Sequence, residues 1–276
     1  MTALFKLFSV LPLWFLHAMG WAMGWLAFAL SPTYRRRFME NAAQAGYRFS
    51  QVAASVGQAG RMVTELPRLW LGTPLRYEWD NAACIDSAFG AGRGILFLTP
   101  HMGCFEIAPQ AMAHDYSPRH GPMTILYRPA RQPWLANVMA AARQRPGLQT
   151  APTTLAGVRQ MIKALRQGQA VGMLPDQVPP EGLGLWALFF GREAYTMTLA
   201  ARLVQQTGAR VLVAWSERRS WGRGFLVHVR ELAEPLSSDL GTAVAQINAE
   251  MERLIRERPE QYLWGYARYK RPRKEI

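Results

Sequence analysis

The stretch GILFLTPHMGCFEIAPQ, residues 94–110, decides how the fold is interpreted. Its apolar first half is typical of a buried strand, and its second half has the pattern of a helix start. His101 and Glu106, five residues apart, lie near the junction in surroundings almost free of charge. Because an acid and a base are costly to bury without partners, this arrangement indicates a functional site at the end of a strand.

Similar short apolar runs recur along the chain and alternate with helical patterns. The runs that we interpret as strands are residues 94–100, 122–129, 170–177, 209–218 and 224–232. This alternation predicts an α/β fold, a sandwich in which helices flank a mixed, mostly parallel central sheet. The last two runs are joined by RRSWGR, a link short enough to predict an antiparallel hairpin.

The N-terminal segment has no Asp, Glu, Lys or Arg from residue 7 to residue 34. About 20 apolar residues suffice to cross a bilayer core, so we expect a membrane anchor over residues 1–32 and one soluble domain over residues 33–276. Arg35, Arg36 and Arg37 follow the run, which predicts that the domain lies on the cytoplasmic side. A helix in the membrane plane and a buried core helix are the alternatives.

The chain carries a formal net charge of +13, which predicts anionic partners: nucleic acid, anionic lipid or an acidic carrier protein. No nucleic-acid-reading motif is visible, which argues against nucleic acid. Two cysteines and the absence of CxxC or HExxH spacing predict no metal site, and we expect no cofactor.

Polar residues follow three of the predicted strands. His101 follows the first, Arg128 the second, and Asp176 with Gln177 the third. Ligands of open α/β sheets gather outside the carboxyl ends of the strands, so these residues are expected to face one crevice.

His101 and Glu106 cannot share one face of an ideal helix, because five residues correspond to a rotation of about 500°. They can meet if His101 lies in a turn, which Gly103 permits, and Glu106 begins the helix. Glu106 would then accept a hydrogen bond from one ring nitrogen and leave the other as a general base. The alternative is a structural histidine beside a solvated glutamate. A nucleophilic Cys104 is a further alternative.

The motif TPHMGCFE resembles the His-x4-Asp/Glu box of membrane-bound glycerolipid O-acyltransferases. With LYRPARQPWL (126–135), GMLPDQVPPEGLGLW (172–186) and RPEQYLWGYARYKRP (258–272), the chain is similar to the bacterial late acyltransferases of lipid A biosynthesis. The resemblance implies a glycerolipid acyltransferase-like sandwich. It also implies transfer of a fatty acyl group from acyl carrier protein, or from a similar thioester, to a hydroxyl of an anionic, phosphorylated glycolipid, at the cytoplasmic face of the inner membrane.

These roles give a set of expected site residues. His101 is the expected general base and Glu106 its partner. Substrate-binding candidates are Arg128, Asp176 and Gln177, and oxyanion donors are Arg128 or backbone N–H groups near Gly103. Phe105, Ile107 and Met112 are expected to floor an acyl groove. Another membrane lipid as acceptor, or a non-catalytic anion-binding protein, remain alternatives.

Overall fold

The computed structural model describes residues 2–127 and 145–274. Its strands, numbered along the chain, are β1 (Tyr77–Asp80), β2 (Ile95–Leu98), β3 (Met123–Tyr127), β4 (Leu148–Pro152), β5 (Ala170–Met173), β6 (Gly184–Phe189), β7 (Arg192–Met197), β8 (Arg210–Arg218) and β9 (Phe225–Glu231). All five predicted strands are present, whereas β1, β4 and the β6–β7 pair were not predicted as strands.

The helices enclose this sheet. They are α1 (Thr2–Ser9), α2 (Leu13–Leu30), α3 (Pro32–Gln44), α4 (Phe49–Val52), α5 (Ala54–Leu71), α6 (Ala82–Gly90), α7 (Ile107–Asp115), α8 (Ser117–His120), α9 (Leu155–Arg166), α10 (Leu199–Thr207) and α11 (Leu240–Glu257). Residues 132–145, QPWLANVMAAARQR, have a helical pattern in the sequence, and almost all of them lie outside the described residues.

Seven of the described strands form one sheet in the order β1-β9-β8-β2-β5-β3-β4. Four neighbouring pairs are parallel: β8 with β2, β2 with β5, β5 with β3, and β3 with β4. β8 and β9 are antiparallel, and β1 is parallel to β9. The mixed, mostly parallel sheet and the β8–β9 hairpin are therefore confirmed. β6 and β7 form a separate two-stranded sheet.

The central strands are buried on both faces, as parallel sheets require. Leu96 and Leu98 of β2 face a core built with α9, α10 and α11, whereas Ile95 and Phe97 face a second core built with α6 and α7. The unbroken apolar run of β2 thus reflects a strand sandwiched between two helical layers.

Helix α2 is long and apolar enough to cross a membrane by length and composition. One face of it packs along α5 through glycines: a Cβ on Gly20 would lie 2.7 Å from the Cα of Arg61, and one on Gly60 would lie 1.9 Å from the carbonyl oxygen of Gly20. Small residues permit this close approach of two helix backbones. The opposite face exposes Trp14, Leu26 and Leu30.

Candidate active site

The ends of two neighbouring strands bring the first site residues together. β2 and β5 are parallel with Leu98 level with Met173, and the Thr99 N–H donates to the carbonyl oxygen of Met173. The chain then leaves β2 toward His101 and leaves β5 toward Asp176 and Gln177. The predicted convergence of these three residues is present. Arg128, which follows β3, lies outside the described residues.

His101 is held by a carboxylate. Its Nδ1 lies 2.6 Å from Oδ1 of Asp176, and its backbone N–H donates to Oδ2 of the same carboxylate at 2.9 Å. Burial alone would raise the pKa of Asp176, but the charge and hydrogen bonds of His101 outweigh burial and hold that pKa below its ordinary value. Asp176 is therefore an anion at neutral pH and accepts the Nδ1 proton.

The other ring nitrogen of His101 lies 3.0 Å from Nε2 of Gln177. Because Nδ1 carries the proton donated to Asp176, Nε2 of a neutral ring has a free lone pair, which accepts a hydrogen bond from the Gln177 amide. The two partners thus select one tautomer, with the basic nitrogen directed away from Asp176.

Glu106 does not have the expected contact with the ring, since both ring nitrogens have other partners. Its Oε2 instead accepts a hydrogen bond from the indole N–H of Trp70, at the end of α5, over 3.2 Å. Gly103 has a φ of +55°, and this left-handed residue turns the chain so that Glu106 caps α7 beside α5. The partner of the imidazole is therefore Asp176, which sequence spacing alone did not identify.

The N–H groups of Gly103 and Cys104 are already used. The Gly103 N–H donates to the carbonyl oxygen of Gln261 at 3.0 Å, and the Cys104 N–H donates to that of Ser216 at 2.9 Å. These bonds tie the turn to β8 and to the C-terminal segment. The Gly103 N–H is therefore not available to an oxyanion in this conformation, which corrects the expectation.

A buried ion pair braces the same turn from below. Arg218, at the end of β8, donates to the carbonyl oxygen of Gly103 at 2.7 Å and to both carboxylate oxygens of Glu65 at 2.7–3.0 Å. Nε2 of His17 on α2 lies 2.9 Å from Oε2 of Glu65. Burial would raise the pKa of Glu65, but Arg218 and His17 lower it to about 2. The network links α2, α5 and β8 to the turn that carries His101.

An apolar cavity of about 190 Å³ opens beside His101. Phe105, Met112 and Glu106 line it, together with Phe97, Trp79, Met123, Ile125 and others from the sheet and α7. Two predicted groove residues are thus present, whereas Ile107 packs in the core with Cys84 and Phe97 instead. The cavity offers apolar walls to the part of a hydrocarbon chain that lies nearest His101.

A second cavity, of about 220 Å³, meets His101 from the side of Asp176 and Gln177. Its other walls are Tyr34, Met62 and the segment containing Tyr262 and Tyr266. His101 therefore lies between an apolar cavity and one lined by tyrosines and an amide. This separation suits a reaction between two different molecules.

Cys104 does not fit the role of a nucleophile. It is buried, and burial raises the pKa of its thiol well above the ordinary value. A thiol held neutral in this way is unreactive.

Comparison with known proteins adds the family. The family model described as bacterial lipid A biosynthesis acyltransferase matches residues 3–271. Three curated proteins of Escherichia coli (strain K12) are similar. The lipid A biosynthesis palmitoleoyltransferase is 25% identical over 81% of this chain and 72% of its own length. The lauroyltransferase is 28% identical over 64% of this chain and 55% of its own length, and the myristoyltransferase is 25% identical over 68% and 57%.

Proposed function

This chain belongs to the bacterial lipid A biosynthesis acyltransferase family, and we propose that it transfers a fatty acyl chain from acyl carrier protein to a hydroxyl of a phosphorylated lipid A precursor. Membership makes the chain an acyltransferase, which sets aside a non-catalytic anion-binding role. The observation that supports the mechanism is the Asp176–His101 hydrogen bond at the mouth of an apolar cavity.

In the proposed reaction, the acceptor hydroxyl replaces the Gln177 amide at Nε2 of His101, and Nε2 then takes the proton of that hydroxyl. The hydroxyl oxygen attacks the thioester carbonyl, a C–O bond forms, and the C–S bond breaks. The imidazolium returns its proton to the leaving thiolate. Asp176 stabilises the imidazolium in between, because it is a buried anion on Nδ1.

Glu106 and Arg128 complete the proposed site. Glu106 borders the same cavity as His101. Its negative charge would stabilise the imidazolium of His101 through the electric field, without direct contact. For Arg128 we propose a contact with the oxyanion or with an acceptor phosphate, both of which suit a guanidinium fork.

The two cavities suggest how the substrates divide. The acyl chain of the donor would occupy the apolar cavity, where each buried CH2 contributes about 0.8 kcal/mol. The acceptor would approach Nε2 from the cavity that Gln177 borders. The names of the three relatives carry three different acyl chains.

The net charge of +13 supports an acidic donor protein and an anionic acceptor at the cytoplasmic face of the inner membrane. The test is acyl transfer by purified protein in detergent, from acyl carrier protein or coenzyme A thioesters to a phosphorylated tetra-acylated disaccharide. A phospholipid acceptor is the comparison. His101→Ala and Glu106→Ala are the variants. If both stay folded and keep the wild-type rate, the mechanism is wrong.

A further inference from the structure

The turn between β8 and β9 holds a tryptophan out into solvent. Trp221 is 87% exposed and has a φ of +58°, a left-handed conformation that is costly for a bulky residue. Its neighbours Gly222 and Gly224 also have positive φ values, of 66° and 95°. A single exposed tryptophan needs no explanation, but one kept in an unfavourable backbone conformation points to a use at that position.

The turn projects from the edge of the sheet that carries the site. β8 runs parallel to β2 with Val213 level with Leu98, bridges to Gly103 through Ser216, and continues to Arg218. Trp221 therefore lies beyond the end of β8, past the Gly103 turn. This is the end of the sheet at which His101 follows β2.

An apolar ridge continues from the turn. A Cβ on Gly222 would lie 2.5 Å from the backbone nitrogen of Trp14, so the turn rests directly on the start of α2. Trp14 is 57% exposed and Val10 is 71% exposed. Trp221, Trp14 and Val10, which we call the apolar strip, are exposed apolar side chains of this turn and of the segment around the start of α2 on which the turn rests.

Arginines stand beside this strip. An open groove is lined by Arg76, Arg218, Arg219, Arg223, Arg258, Glu217 and Glu260, among others. Glu65 compensates Arg218, and Glu78 pairs with both Arg76 and Arg219. Arg223 donates only within its own turn, to Ser220, among the contacts of the described residues. Arg258 is half exposed, 3.5 Å from Glu217 and 4.0 Å from Glu260. The groove keeps cationic character next to tryptophans.

We propose that the turn at Trp221, with Trp14 and Val10, docks this edge on an anionic bilayer, with Arg223 and Arg258 on lipid phosphates. Tryptophan prefers the membrane interface, and basic side chains near it bind anionic headgroups. The strip favours a bilayer over an acidic carrier protein, because it continues into the apolar outer face of α2. The inference rests on the proposed function, because docking by this edge would direct the site toward an acceptor in the membrane.

The described cysteines are buried, so one introduced cysteine can be labelled selectively. Trp221→Cys carrying a nitrobenzoxadiazole label is reconstituted with vesicles of phosphatidylcholine containing phosphatidylglycerol. The control is Arg166→Cys, at the end of α9 and so on the opposite edge of the sheet. We expect the label at position 221 to shift to the blue and to be quenched by brominated lipid, and the label at 166 to remain in water. A label at 221 that stays in water overturns the proposal.

The charge is tested separately. Arg223→Gln and Arg258→Gln should each weaken vesicle binding about fivefold, the equivalent of one headgroup contact, whereas Arg166→Gln should not. Protection of position 221 by acyl carrier protein in detergent, with no response to vesicles, would instead assign the turn to the carrier. Acyl transfer in detergent should be unchanged in the arginine variants. A wild-type protein without transfer activity refutes the proposed function while leaving the vesicle result intact.

Discussion

Asp176 holds both the ring and the backbone of His101, through a 2.6 Å contact with Nδ1 and a 2.9 Å bond from the main-chain N–H. Asp176→Asn removes the anion that stabilises the imidazolium and allows the other tautomer. We expect kcat to fall about 100- to 10,000-fold, as for loss of general-base function. Steady-state kinetics measure the loss. An unchanged unfolding midpoint shows that the fold is intact, and wild-type kcat would exclude Asp176 from the mechanism.

Gln177 lies against the basic nitrogen of His101. In Gln177→Glu, a carboxylate there would favour the protonated ring, which cannot act as a base. We expect the acidic limb of the pH–rate profile to move to higher pH, so that activity is lost mainly below neutrality. Gln177→Ala adds no charge and serves as the control. A profile that coincides with that of Gln177→Ala would contradict the assignment of Nε2 as the base.

Gly103 occupies a position that no other residue fits. It has a φ of +55°, and a Cβ there would lie 1.9 Å from the carbonyl oxygen of Ser216. Gly103→Ala should therefore cost more than the roughly 1–3 kcal/mol of backbone strain and should disturb the turn that carries His101. Gly208→Ala is the matched control, because Gly208 has a φ of +66° with nothing within 4 Å. The free energies of unfolding of both variants in urea separate backbone strain from the steric clash of the added Cβ with Ser216. Equal losses of stability would refute the clash.

Glu65 and Arg218 form a buried pair, 2.7 Å apart at the closest. Glu65→Gln leaves the guanidinium without its counter-charge, which typically costs about 3–5 kcal/mol. The folded pKa of Glu65, about 2, lies below the ordinary 4.5, so its stabilisation is complete above pH 4.5 and is lost as the pH falls toward 2. Urea unfolding across this window should show a steeper decline for the wild type than for Glu65→Gln. Parallel curves would contradict the assignment.

Met112 lines the apolar cavity and is almost fully buried. A larger side chain, as in Met112→Trp, should shorten the cavity and shift the preferred donor to a shorter acyl chain. Competition between thioesters of different lengths, read by mass spectrometry, measures the preference. Met112→Leu conserves the volume and should leave the preference unchanged. A preference that moves equally in both variants would place the acyl chain elsewhere.

The sequence was sufficient to predict that these strand ends converge, because His101 and Asp176 both follow apolar runs of strand type and ligand-binding groups of an open α/β sheet gather at the carboxyl ends of its strands. It was insufficient to predict the partner of His101, since the direction of the turn depends on the φ of Gly103 and on Arg218, 115 residues away in sequence. Glu65 did leave a signal, as the sole acid between Glu40 and Glu78. Arg218 left none, because exposed and buried arginines of a hairpin look alike in sequence.

The apolar N-terminal helix was predicted from composition, but its packing was not. The spacing of Gly20 with Gly24, and of Gly57 with Gly60, was the available indication that α2 and α5 approach closely. The apolar stretch LGLWALFFG (183–191) forms β6 and the turn toward β7, where Trp186 pairs with Tyr195. The division into an anchor (1–32) and a domain (33–276) stays a prediction.

The His17–Glu65–Arg218 network has a practical consequence for anyone preparing this enzyme. Deleting the apolar N-terminal helices to improve solubility would remove the contact of His17 with Glu65 and expose the apolar side of α5. It would also weaken the support that Glu65 and Arg218 give to the Gly103 turn. A shortened protein would therefore be more soluble but less active. Preparations of the full sequence in detergent or nanodiscs are the appropriate starting material.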